Sequence, residues 1–148
     1  MAAPAGITAT IRWTGDLTFE GDFPGGERTI LASGGSHPGP GPSPMQAIQS
    51  ALASCSGVDV VEILRKMRLN LTSLAIEVLA ERATTEPRVY TRLHLVYRAT
   101  GPGLDGERVV RAVELSQDKY CSVAAMLRPT VALSWEVWVN DALAGRAG

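Results

Sequence analysis

Cys55 and Cys121 are the two thiols of this 148-residue chain. A thiolate attacks peroxides and disulfides. A second thiol can then close a disulfide onto the oxidised first if the two Cα atoms approach within about 7 Å. Free cysteines are also among the most buried residue types and serve as small hydrophobes. The pair therefore reads either as a redox couple or as two core residues, and sequence position alone leaves both readings open. Cys121 follows Lys119 and precedes a helical turn, Ser122 to Arg128. The positive end of a helix there favours a thiolate. Cys55 lies inside an apolar helical run, Ala51 to Val58, gains little from the helix dipole and needs a cation from elsewhere in the fold. Asp59, one turn further on, reads as a solvated or paired carboxylate.

Other chemistries find little support. His37 and His94 have no metal-ligand spacing to either cysteine, there is no CxxC or HxxxH, and no metal or other cofactor is expected. His94 reads as a strand residue on a polar face. The Gly34-Gly35 and Gly39-Pro40-Gly41-Pro42 stretches lack the Lys-Ser/Thr of a phosphate loop, and no Gly-x-Ser-x-Gly elbow occurs. Fourteen Lys and Arg against fifteen Asp and Glu give a net charge of −1, without the basic patch that nucleic acid requires. No apolar run reaches the roughly 20 residues of a bilayer span. Residues 1–6 show no signal peptide, so a cytoplasmic protein without membrane partners is expected. Thiols are kept reduced in that compartment, so any disulfide there is transient.

The elements that must position the thiols follow from periodicity. Ile7, Ala9, Ile11 and Trp13 alternate as one face of a strand; Leu17 to Phe23 and Arg28 to Ala32 give two more. A Gly/Pro loop, Ser33 to Pro44, leads to a helix start. Ser43 is the N-cap, Pro44 fits the first helical position and Gln46 completes a capping box. The helix runs to about Arg68 and is apolar nearly all round in its first half, so it is expected to be buried. Two further strands, Leu74 to Ala83 and Val89 to Arg98, precede a helix from about Asp105. The turn after Cys121 and a last strand, Leu133 to Val139, complete a single α+β domain over residues 1–148. Its order is βββ-α-ββ-α(α)-β, an antiparallel sheet of about six strands on the long helix. One such sheet covers one side of the helix, so a homodimer that covers the other is expected. Trp13, Trp135 and Trp138 are assigned to sheet packing or an interface.

Three segments together resemble the OsmC/Ohr family of osmotically induced and organic hydroperoxide resistance proteins. They are Pro42-Ser43-Pro44-Met45 before the Cys55 helix, Arg111-Ala112-Val113-Glu114-Leu115-Ser116, and Lys119-Tyr120-Cys121-Ser122-Val123. The likeness is to the OsmC-like, YhfA-type branch and extends from about Thr8 to Val139. It implies an intertwined homodimer and a cysteine-based peroxidase in oxidative-stress defence. Cys55 would attack an organic hydroperoxide, Cys121 would resolve the sulfenic acid, and a dithiol, such as a lipoylated protein, would reduce the product. No metal, haem or flavin is implied. The family's peroxidases carry a glutamate just after the helix-starting proline, paired with an arginine. Met45 and Gln46 stand there in this chain, and Arg12 and Arg28 lie in the broad region of the arginine. The resemblance also admits a non-catalytic protein binding a small apolar ligand at the dimer interface. A buried helix amid strands suggests a hotdog-like thioesterase too, a reading that gives the cysteines no role.

Overall fold

A computed structural model describes residues 6, 8–33 and 39–148. Ile7 and His37 lie outside the described residues. The chain divides into two compact units, residues 1–49 and 50–148.

The first unit holds β1 (Thr10–Gly15), β2 (Thr18–Asp22) and β3 (Arg28–Ala32), an antiparallel sheet in that order. Trp13 pairs with Phe19 and Phe19 with Leu31, so these side chains share a face with Ile11. Ile11 and Trp13 are nevertheless exposed in the single chain. The opposite face carries Arg12 and Arg28, ion-paired with Asp22 and Glu20. The first turn of α1 (Pro44–Lys66) belongs to this unit, and its capping box forms as expected. Gln46 N–H donates to Ser43 Oγ at 3.1 Å, and Ser43 N–H donates to Gln46 Oε1 at 2.9 Å.

The rest of α1 runs through the second unit, followed by β4 (Ser73–Arg82) and β5 (Tyr90–Thr100). Then come α2 (Gly106–Leu115), a five-residue π-helical turn (Ser116–Tyr120) and α3 (Ser122–Leu127). Strands β6 (Ala132–Val139) and β7 (Ala142–Ala147) close the chain. Where six antiparallel strands in one sheet were expected, the described residues form seven in two sheets. The second sheet runs β4-β5-β6-β7, and its β5–β6 pair is parallel. A parallel neighbour needs a crossover, here α2, the π-turn and α3. The core lies on one face of this sheet, where Leu93, Leu95, Tyr97 and Val137 lie within the second unit with Val109, Ala112 and Val113 of α2.

Helix α1 ends as its backbone requires. Arg68 adopts φ 59°, Arg68 N–H bonds Arg65 O at 2.9 Å and Leu69 N–H bonds Leu64 O at 3.0 Å. This is the Schellman pattern, which turns the chain back toward the sheet. The expected burial of α1 is partial within one chain. In one chain the buried residues of α1 are Leu52, Ser56, Val60 and Leu64, a stripe at four-residue spacing, while Val58 is 58% exposed. One sheet and its crossover cover one stripe and no more. At Gly57 a Cβ would stand 3.2 Å from Ile76 Cδ1, so the glycine allows α1 to approach β4 closely. By length and composition alone α1 passes for a membrane-crossing helix, with 23 residues and a stretch of mean hydropathy 1.3. Its buried stripe instead engages β5 and the π-turn through Ser56.

Candidate functional site: two thiols beside a buried polar network

Cys55 lies three residues after Leu52 and one before Ser56, at the edge of the buried stripe of α1, and is half-buried. Cys121 is 2% exposed and sits between the π-turn and α3. Its N–H closes the π-turn on Ser116 O at 2.7 Å. Its backbone, φ −71° and ψ 106°, is extended, and its Sγ caps α3 by accepting from Ala124 N–H at 3.4 Å. Both are free thiols. They lie close enough for Cys55 to affect the Cys121 thiol.

The expectation that helix position and Lys119 activate Cys121 is corrected. Burial first, and the neighbouring Cys55 after it, push the Cys121 thiol up to about 11. The N–H groups of Ala124 and Val123 oppose this without reversing it. Helix α3 has only six residues, and Lys119 lies over the Tyr120 ring, 5.2 Å from its centroid. Cys121 is thus a protonated thiol at neutral pH, set against a second sulfur.

Beneath the pair lies a polar network that sequence reasoning did not find. Ser56 Oγ is 2.6 Å from Tyr97 Oη and 2.8 Å from Ser116 Oγ. Ser116 Oγ donates to Asp59 Oδ2 at 2.9 Å. Gln117 Nε2 donates to Tyr97 Oη at 2.8 Å and to Ser56 Oγ at 3.3 Å. Ser56, Tyr97 and Ser116 are fully buried and Gln117 nearly so. Among the described residues no buried side-chain polar atom lacks a partner. Burial pushes the Tyr97 phenol up to about 12, keeping it a donor. One signal was present in the sequence. Ser56 interrupts the apolar spacing Leu52, Val60, Leu64, and a serine on a buried stripe requires a partner.

The reading of Asp59 as a paired carboxylate agrees with its bond to Ser116. Beside it opens a cleft of about 360 Å³ lined by Asp59, Glu62, Ile63, Lys66, Met67, Leu115 and Tyr120. His94 lies on the sheet as expected, with Nδ1 2.7 Å from Ser134 Oγ and Nε2 3.3 Å from Glu136 Oε2. Among the described residues no three His, Cys, Asp or Glu are grouped to hold a metal.

A model of the family of OsmC-like proteins matches residues 35–136. The chain belongs to the OsmC-like family. It is 37% identical over 133 residues to Protein YhfA of Escherichia coli (strain K12), covering 88% of this chain and 98% of that protein. The crystal structure of a hypothetical protein from Aquifex aeolicus VF5 superimposes with a TM-score of 0.77 at 30% identity, covering 89% and 96% of the two chains. An organic hydroperoxide resistance protein OsmC from Legionella pneumophila shares the fold at 15% identity, with a TM-score of 0.62 and coverage of 92% and 98%. Within this OsmC-like chain, Gln46 is occupied by the capping box, and both candidate arginines, Arg12 and Arg28, are ion-paired to carboxylates of their own sheet.

Proposed function

We propose that this OsmC-like protein is a thiol-dependent reductase of organic hydroperoxides, acting as a homodimer in the cytoplasm. One observation supports the reading: Cys55 lies near enough to Cys121 to act on its thiol, adding to the upward push of burial. In the first step Cys55 attacks the outer peroxide oxygen; the O–O bond breaks, giving a Cys55 sulfenic acid and an alcohol. In the second the Cys121 sulfur attacks the Cys55 sulfur, the S–O bond breaks, and hydroxide leaves with the thiol proton as water. A dithiol, such as a lipoylated protein, then returns both cysteines to thiols as it becomes a disulfide. A resolving thiol must lie close and must give up its proton as it attacks; the Cys121 proton leaves with the departing hydroxide as water, and the raised thiol makes this step the slower one at neutral pH. The apolar surroundings of Cys55 on α1, Ala51, Leu52 and Val58, suit an alkyl hydroperoxide.

Two exposed apolar sets support the homodimer. They are Ile11, Trp13 and Phe19 on the first sheet, and Val58 on α1. In a single chain they remain in water, and a second copy gives them cover.

The test is consumption of cumene hydroperoxide with a dithiol reductant by wild type, Cys55→Ser and Cys121→Ser. Turnover should vanish in the first variant. The second should give one equivalent of alcohol and a dimedone-reactive sulfenic acid on Cys55. No turnover in wild type, or equal turnover in wild type and Cys55→Ser, sinks the reading. A second reading, binding of a small apolar ligand without catalysis, is favoured by the absence of a carboxylate at Met45 and Gln46. It predicts ligand affinity that survives Cys55→Ser.

A further inference from the structure

We propose that Ser116 and Gln117 are positioning residues for Cys121, held by a buried hydrogen-bond chain that ends on Asp59 and sets the Cys121 thiol against Cys55. The proposal rests on the reading of the two cysteines as a redox pair.

A π-turn is rare, and such single turns occur frequently at functional sites. The side chains of its first two residues hold it here. Ser116 Oγ bonds Asp59 at 2.9 Å and Ser56 at 2.8 Å, and Gln117 Nε2 bonds Tyr97 at 2.8 Å. Arg128 adds a guanidinium bond to Gln117 O. The Ser116 carbonyl in turn takes the Cys121 N–H at 2.7 Å. One backbone bond therefore connects the thiol-bearing residue to the residue that the chain pins.

The protons of this chain have one arrangement. Ser116 Oγ has two acceptors, Asp59 Oδ2 at 2.9 Å and Ser56 O at 3.4 Å; a carboxylate accepts and does not donate, so the one hydroxyl proton goes to the nearer, charged oxygen. Ser56 must then donate to Ser116, and Tyr97 must donate to Ser56. Gln117, which donates through both contacts, closes the upstream end. Turning the Ser116 hydroxyl to Ser56 O would forfeit the shorter bond to Asp59. A fully satisfied buried network of this kind rigidifies what it holds. Ser56, next to Cys55 in sequence, is a member, so α1 and the π-turn are fixed to each other beside both thiols.

The experiment measures the effective concentration of the two thiols for each other in full-length protein. The protein is equilibrated in glutathione buffer, quenched by alkylation and weighed by mass spectrometry. Oxidation converts two S–H groups and one glutathione disulfide into the Cys55–Cys121 disulfide and two molecules of glutathione. Tyr97→Phe and Ser116→Ala should each lower the effective concentration roughly tenfold or more, because small displacements of reacting groups are costly, while Ser116→Thr stays within about twofold of wild type. Leu93→Val truncates a buried residue of the same strand outside the chain and should leave the value unchanged. Should Ser116→Ala fail to fold, Tyr97→Phe alone decides. A wild-type value in Tyr97→Phe, an equal loss in Leu93→Val, or no disulfide in wild type overturns the proposal. No hydroperoxide enters this measurement. The expected losses in a protein that consumes no hydroperoxide support positioning and refute the peroxidase, while active protein whose variants keep the wild-type value refutes positioning alone.

Discussion

Tyr97 on β5 and Ser56 on α1 meet through their hydroxyls at 2.6 Å, a buried bond between residues 41 apart in sequence. It ties the Cys55 helix to the sheet at the residue next to the thiol. Tyr97→Phe removes this bond and leaves Gln117 Nε2 without its nearer acceptor. Urea denaturation should show a loss of about 1–3 kcal/mol, the cost of leaving a buried polar group unpaired. Ser56→Ala should cost a similar amount, and the double variant less than the two together, because both break one network.

Stability should fall in alkali in two overlapping steps. The Cys121 thiol is raised from 9.0 to about 11 on folding, and the Tyr97 phenol from 10.0 to about 12. Each group is protonated in both states below its unfolded value, so its contribution is fully present there. Above that value the unfolded chain loses the proton first, and stability drops until the folded value is passed. Thermal melts should therefore decline from about pH 9 to 12. Cys121→Ser should remove the lower part of the decline and Tyr97→Phe the upper part.

The start of α1 can be tested apart from the thiols. Ser43→Ala breaks the capping box and should cost about 1 kcal/mol in chemical denaturation. Gln46→Glu preserves the reciprocal bond to Ser43 N–H and adds a negative charge to a first turn that has no acidic residue. It should stabilise by about 0.3–1 kcal/mol at low salt, fading as salt rises.

Val58 gives a direct reading of assembly. It is exposed on α1, and a lysine there can pair with Glu62 one turn later, so Val58→Lys should change the stability of the single chain by less than about 0.5 kcal/mol. In the proposed dimer the same lysine would be forced into an apolar contact. Light scattering should show wild type at twice the chain mass and Val58→Lys at the chain mass; wild type at the chain mass sinks the dimer.

Local signals in the sequence located local structure well. Ser43, Pro44 and Gln46 announce the start of α1, Asp105 caps α2 through Glu107 N–H, and Cys121 stands at the start of α3. Each is a short-range backbone requirement met by a side chain within three residues. Partners and environment were less visible. Strand β7, Ala-Leu-Ala-Gly-Arg-Ala, has almost no large alternating side chains and exists by pairing with β6. Nothing in Leu93 or Leu133 reveals that their strands run parallel. Tyr97, Ser116 and Gln117 carry no sign of one another in the sequence, because the wider π-turn that aims the last two inward has no sequence signature. The position of Cys121 pointed to activation, whereas its burial, a property of the whole fold, decides the opposite sign.

The parallel pairing of β5 with β6 bears on the order in which this molecule matures. The segment carrying Cys121 is the bridge between those strands, so it takes its final path only when residues from Ala132 onward have docked beside β5. During synthesis Cys55 and Tyr97 emerge well before the strand that locks the second sulfur in place. A nascent chain still lacking β6 would carry its second thiol open to solvent and to any alkylating reagent. Quenching of that reactivity would mark the completed fold, and the proposed oxidation chemistry would wait on the last strands to arrive.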